Sequence, residues 1–234
     1  MVDIFFWIDG ITASGVVIFG IIFGLFFIYK SKKTQANILF YLGLANLFAG
    51  LAFLGVFLDF LLVIFIHTNL DNTFGLVGIL SYIWLPLAVI TAIFIGEKLL
   101  IPKAKWYVVS LFIILGIVFE IIVITTPFDS FNFAYPAVLG EGLIDYNLNI
   151  FSLAGMLMAF FLLTVIVLLS TGFLIKAFQS TGILKKKFCL ISMGSLCFCV
   201  FGLLEGLTIP GFTIIFVRIG YLSSFWLMYY GLKD

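Results

Sequence analysis

Residues 17–50 read VIFGIIFGLFFIYKSKKTQANILFYLGLANLFAG, two long apolar runs on either side of a short segment that contains three lysines. About 20 consecutive apolar residues are enough to cross a bilayer as an α-helix. The stretch therefore predicts two membrane helices joined by a short basic loop.

The composition of the whole chain extends this prediction. Of its 234 residues, 64% are hydrophobic and 10% are charged, and the mean hydropathy is +1.32. Soluble domains carry about 25% charged residues. We therefore expect an all-α membrane protein that crosses the cell membrane several times, with the lipid bilayer as its solvent. A net charge of +1 indicates no nucleic-acid partner.

The apolar segments predict a single domain over residues 1–234, a bundle of seven transmembrane helices. The predicted spans are 11–29, 36–58, 74–95, 106–125, 150–178, 188–207 and 212–230. The second apolar run continues past Asp59 to residue 66, and the fifth span is long enough to tilt.

The charges predict the orientation of this bundle. Lysines follow the first, third, fifth and seventh predicted spans, at Lys30, Lys32, Lys33, Lys98, Lys103, Lys105, Lys176, Lys185, Lys186, Lys187 and Lys233. The opposite side carries acids and no lysine or arginine. Because basic loops stay in the cytoplasm, the N-terminus is expected outside and the C-terminus inside.

Arg218 is the only arginine of the chain, and it lies well inside the last apolar span. Ionisable groups at membrane depth are costly, so they are functional candidates by default. Glu205 and Glu120 lie near the same end of the predicted bundle, and we expect one or both to neutralise Arg218. Such an ion pair locks helices together. The alternatives are an arginine that reaches the headgroups and a site for an anion or carboxylate. A lock that a ligand opens is a switch.

Three further polar residues are secondary candidates: Asp59 at the outer end of the second span, Asn46 near mid-membrane, and Tyr82 in the third span. Asn46 must hydrogen-bond inside the bundle. We expect a hydrogen bond between two helices rather than a contact with a ligand. Pro86 predicts a kink in the third span. The long loop 126–149 mixes aromatic and acidic residues, which favours an aromatic anchor in the membrane interface over a lid.

Other patterns are missing from the sequence. The last span has no lysine for a retinal Schiff base, and the chain has a single histidine, His67. No Ser/His/Asp or HExxH arrangement occurs. We therefore expect no enzymatic activity, no cofactor and no metal site.

Three segments carry a resemblance to a known group of proteins. They are YIWLPLAVITAIFIGEKL (82–99), FQSTGILKKKFCLISMG (178–194) and VRIGYLSSFWLMYYGLK (217–233). The chain resembles the seven-helix sensor regions that precede histidine kinases, and the stand-alone archaeal relatives of those regions. The resemblance implies a sensor whose output passes to a separate cytoplasmic protein.

Two functions follow from these observations. The first is a sensor or receptor-like module with a polar site in its outer half. Its signalling partner would contact the cytoplasmic lysines, at Lys30, Lys103, Lys105, Lys185, Lys186 and Lys187. The alternative is a small-solute transporter in which spans 1–3 and 5–7 are repeats around span 4. A 3+1+3 transporter should retain internal sequence symmetry. Here the second and sixth spans share only one leucine and one glycine when aligned, which favours the sensor.

Overall fold

A computed structural model describes residues 4–207 and 212–233 of the chain. The helices are α1 (Ile4–Thr34), α2 (Asn37–Gly50), α3 (Leu54–Ile66), α4 (Leu76–Tyr82), α5 (Leu85–Leu100), α6 (Lys105–Thr125), α7 (Pro127–Ser130), α8 (Leu153–Val165), α9 (Thr171–Phe178), α10 (Gly182–Glu205) and α11 (Phe212–Leu232). Two short strands, β1 (Phe131–Ala134) and β2 (Asp145–Leu148), form an antiparallel hairpin.

The structure is that of an all-α membrane protein. Among the described residues, six helical segments are long and apolar enough to cross a membrane: Ile4–Thr34, Asn37–Ile66, Leu76–Leu100, Lys105–Thr125, Leu153–Phe178 and Gly182–Glu205. Helix α11 follows them, with 21 residues. The first span begins seven residues earlier than the predicted boundary, and the third ends five residues later.

The helices pack in chain order around a closed bundle. α1 packs on α2, α2 on α5, and α10 on α11, and α11 returns to α1 and closes the ring. α6 packs mainly on α5, with a smaller contact to α8. Lys30 donates a hydrogen bond to the Leu232 carbonyl, so the C-terminal end of α1 lies beside the C-terminal end of α11. Asp9 and Arg218 therefore lie towards the opposite end of the bundle.

Glycines allow α1 and α2 to approach at backbone distance. A Cβ added at Gly20 would lie 2.4 Å from the Cα of Gly50, and one at Gly24 would lie 2.9 Å from the carbonyl oxygen of Gly43. Only residues without a side chain fit such a contact. The first two spans are consequently packed more closely than side chains would permit.

Three of the spans are not continuous α-helices. The second contains a 3-10 turn at Leu51–Phe53, and the fifth contains a π-helical turn at Ile166–Ser170. The third is interrupted between Tyr82 and Leu85. Pro86 stands in the first turn of α5, where its missing N–H costs nothing. The expected interruption at Pro86 is therefore present.

The long loop 126–149 is folded onto the bundle as a cap. Its hairpin buries Phe131 and Leu148, and the preceding turn buries Ile144. The ring of Phe131 packs on Tyr82 at a centroid distance of 5.0 Å. The expectation of an interfacial anchor is wrong for these residues, because their apolar side chains find a protein surface at the end of the third span. Phe128 and Tyr135 remain exposed.

Candidate functional site

Arg218 lies between acids from two other helices. Its Nη2 is 3.0 Å from Oδ1 of Asp9 on α1, and its Nε is 3.4 Å from Oε1 of Glu205 at the end of α10. The guanidinium carbon also lies over the ring of Phe53, 4.2 Å from its centroid. The side chain is 3% exposed. α1, α10 and α11 are thus joined by one buried charge.

The hydrogen-bonding capacity of Arg218 is only partly used. Within the described chain, its Nε and Nη1 atoms have no hydrogen-bond partner, and neither has Oδ1 of Asp9. The two ion pairs are therefore charge contacts at short distance, and the one with Glu205 is the longer. Buried polar groups usually complete their hydrogen bonds, so this ion-pair network is an unsaturated one that a small rearrangement or a bound molecule would complete.

Glu205 also borders a small cavity. The cavity measures about 30 Å³, and its wall includes Tyr82, Tyr146 and Tyr221. Tyr221 is a hydrogen-bond partner of the Glu205 carboxylate. Two of the sequence candidates, Glu205 and Tyr82, are therefore brought to the same cavity. Glu205 links that cavity to Arg218.

Glu120 is not part of this arrangement. It lies on α6, which packs mainly on α5 and away from α11, and its side chain is half-buried. In the described part of the chain, Glu120 makes no ion pair with Arg218. The second partner expected from the sequence is replaced by Asp9. The physical reason is that α1, not α6, packs against α11.

Asp59 holds the cap in place. Its carboxylate is fully buried and accepts hydrogen bonds from the backbone N–H of Leu70 at 2.7 Å and of Ile144 at 2.9 Å. The Asn69 amide donates to both carboxylate oxygens, at 3.1 and 3.0 Å, and to the carbonyl of Gly142. This secondary candidate has a structural task, which is to tie α3 to the loop that follows it and to the loop before β2.

Asn46 is buried in the middle of the bundle. Its amide nitrogen donates to the Leu42 carbonyl at 2.8 Å and contacts the Met228 sulfur at 3.8 Å, which links α2 to α11. Its Oδ1 has no hydrogen-bond partner among the described residues. A mostly apolar cavity of about 50 Å³ borders the side chain. Asn46 therefore acts as an inter-helix contact with one acceptor to spare.

Sequence reasoning missed two residues of the site, Asp9 and Tyr146, and one buried acid outside it, Glu97. Asp9 was assigned to the tail before the first span, whereas α1 begins at Ile4. The apolar run of residues 4–8 is a signal that would have found it. Glu97 is buried near the end of α5, beyond the predicted end of the third span. Tyr146 comes from β2, and no local pattern indicates its contact with the bundle.

Asp145 on β2 gives the cap a predicted pH response. The pKa of Asp145 is raised from 3.8 to about 6, mainly by burial and further by the charge of Asp9, while Arg218 opposes the shift. The folded-state pKa lies above the unfolded value. The folded protein therefore binds more protons between about pH 4 and 6, and its stability falls as the pH rises through that window.

Asp145→Asn removes this penalty. We expect the variant to be more stable than the unsubstituted protein by about 1–2 kcal/mol at pH 7.5, with no such gain at pH 4. Unfolding in detergent at both pH values measures the difference. Asp71 is the control, because hydrogen bonds from Thr73 lower its pKa and its contribution is already complete above pH 4. Asp71→Asn should leave the change in the free energy of unfolding between pH 5 and 7.5 as it is in the unsubstituted protein. If Asp145→Asn also leaves that change as it is, the pH response does not come from Asp145.

No protein-family model, curated protein or solved structure matches this chain. The described residues contain no group of three or more His, Cys, Asp or Glu side chains placed to hold a metal ion. The chemistry of the site is that of a buried arginine, its two acids and a wall of tyrosines. This arrangement has the means to bind a small polar molecule or to change its own ion pairs.

Proposed function

We propose that this chain is a receptor-like membrane sensor whose ion-pair network of Asp9, Arg218 and Glu205 is its switch. A small polar ligand acts on the network from outside, and the helices that the network joins shift in response. In this proposal α11 is the seventh span, the N-terminus is outside, and a separate cytoplasmic protein receives the signal.

The observation that carries the proposal is the unsaturated state of Arg218. Its guanidinium is buried between α1 and α10, yet Nε and Nη1 make no hydrogen bond within the described chain. An ion-pair network that only holds helices together is most stable when every donor is hydrogen-bonded, since an unsatisfied buried group costs about 1–3 kcal/mol. When donors are left unused, the observed set of ion pairs differs less in free energy from an alternative set. A switch needs two states of similar free energy.

The opposite end of the bundle offers a surface for the partner. Lys103 and Lys185 are exposed, at the turn before α6 and at the start of α10. With Lys186 and Lys187, they form a basic surface suited to an acidic partner protein. α10 runs from this surface to Glu205, so a shift at the ion-pair network is transmitted along one continuous helix.

The test measures whether the two ends are coupled. Nitroxide labels are placed at Lys103→Cys and Lys185→Cys in a background where Cys189, Cys197 and Cys199 are replaced by serine. The distance between the labels is measured by electron spin resonance in nanodiscs. We expect Arg218→Gln to change the distance distribution, because the ion pair that joins the end of α10 to α11 is lost.

Glu120→Gln is the matched control, since it removes one membrane-embedded carboxylate that is not part of the network. It should leave the label distances unchanged. If Arg218→Gln lowers the stability of the protein but leaves the distances as they were, the network is a static lock and the sensor proposal is wrong.

A further inference from the structure

The cavity beside Glu205 combines aromatic side chains with a single carboxylate. It is lined by one carboxylate, Glu205, by the three tyrosines Tyr82, Tyr146 and Tyr221, and by Phe53, Phe198 and a few aliphatic residues. The aromatic residues form continuous walls, with Tyr221 5.1 Å from Phe53 and 5.0 Å from Phe198, and Tyr82 6.0 Å from Tyr146. Arg218 does not line this cavity, and in the described structure no other cationic side chain does.

The charge around the cavity is in excess on the acidic side. Asp9 and Glu205 contact Arg218, and Asp145 lies within electrostatic reach of Asp9, Arg218 and Asp59. Among the described residues, the three carboxylates of Asp9, Glu205 and Asp145 therefore interact with one guanidinium. A partly enclosed site with such an excess attracts cations and repels anions. Both the wall and the charge argue against the anion considered from the sequence.

We infer that this cavity binds a small organic cation of the primary ammonium class, with Glu205 as its counter-ion. Aromatic faces attract ammonium groups through their negative quadrupole, and the tyrosine hydroxyls supply acceptors. A water molecule needs roughly 10–15 Å³ of such a cavity, so about 30 Å³ accommodates two or three heavy atoms. Methylammonium has this size. The inference rests on the proposed function, because it names the ligand class of the same network.

Binding of a cation would redistribute the ion pairs. The ammonium group gives Glu205 a second positive partner, in competition with Arg218 Nε at 3.4 Å. Arg218 keeps Asp9, its closer partner at 3.0 Å. The ligand thus weakens the link between α10 and α11, while the link between α1 and α11 remains. The ligand therefore changes the ion pairing of α10, the helix that ends at Glu205, while α10 stays packed on α11.

The experiment titrates the full chain in nanodiscs with methylammonium chloride and follows its thermal unfolding. Methanol is the neutral control of equal size, and sodium formate is the anionic control at the same ionic strength. We expect methylammonium alone to raise the unfolding temperature in a saturable way. Glu205→Gln should weaken the apparent affinity by about 10- to 100-fold, the worth of a hydrogen bond to a charged group.

Two further variants keep the result interpretable. Glu120→Gln removes a carboxylate outside the cavity and should leave the titration unchanged. Tyr82→Phe keeps the ring and removes only the hydroxyl, so it should fold and bind more weakly even if Glu205→Gln does not fold. Saturable binding of formate, no saturable effect of methylammonium, or an unchanged affinity in both cavity variants would each overturn the inference.

Failure of the inference is distinguishable from failure of the proposed function. If Arg218→Gln moves the spin labels but methylammonium does not bind, the switch stands and the ligand class is wrong. If methylammonium binds at Glu205 without moving the labels, the cavity is a cation site and the sensor proposal is wrong.

Discussion

Replacing Arg218 by glutamine is expected to lower the free energy of unfolding by about 3–5 kcal/mol, because the change leaves two partly buried acids without their counter-ion. Asp9 and Glu205 contact Arg218 from two different helices, so both become uncompensated at once. The loss of the contact with the Phe53 ring adds to the effect. Titration with a denaturing detergent in mixed micelles measures the change. Lys33→Gln, at an exposed lysine, should change the value by less than about 0.5 kcal/mol.

A triple variant separates charge imbalance from loss of packing. Asp9→Asn, Arg218→Gln and Glu205→Gln together remove all three charges and nearly preserve the volumes of the two acids. Neutral replacement of a whole buried network is often close to neutral in stability, so the triple variant should recover most of the lost free energy. A single Arg218→Gln variant that stays within about 1 kcal/mol of the unsubstituted protein would show that the acids are neutral or hydrated in the fold.

Asp59→Ala is expected to cost about 3–5 kcal/mol, because it strands two backbone N–H groups and one amide, each worth about 1–3 kcal/mol. The donors are Leu70 N, Ile144 N and Asn69 Nδ2. The cap should loosen before the bundle does. Hydrogen exchange measured residue by residue is the appropriate readout, since the amides of Leu70 and Ile144 should lose protection while those of α2 and α5 keep it.

Asp129 supplies the comparison for this variant. It lies in the cap, loop 126–149, with an exposed side chain, and Asp129→Ala should change the free energy of unfolding by less than about 0.5 kcal/mol. If the amides of Leu70 and Ile144 remain protected in Asp59→Ala, the cap is held by the burial of Phe131 and Leu148 alone, and the role assigned to Asp59 is wrong.

The sequence predicts a helical membrane protein well because few backbone structures can cross a lipid bilayer. Every backbone polar group must be satisfied within its own segment, so long apolar runs become helices. The positions of the six described spans follow from this rule to within several residues. The boundaries at Asp9 and Glu97 were missed because a charged residue reads as a loop signal, whereas both lie inside helices in the structure.

The candidate site was only half predictable. Arg218 and Glu205 come from adjacent antiparallel helices, so their proximity follows from chain order. The contact with Asp9 requires that the first helix close the ring against the last, which no local pattern encodes. The same holds for Tyr146, which reaches the cavity from strand β2, far along the chain from Tyr82 and Tyr221 in the same wall. Glu120 has the expected depth but the wrong neighbours.

The π-helical turn at Ile166–Ser170 has a consequence for how such a chain varies. A π turn holds one more residue than an α-helical turn, and one residue corresponds to about 100° of rotation. The residues of α8 are therefore set around the helix axis independently of those of α9. Met158 and Leu162 of α8 line the cavity beside Glu205, and the extra residue sets their rotation relative to α9. Gain or loss of a single codon at this turn would exchange the whole lining contributed by α8, while the helices from α9 onward kept their sequence.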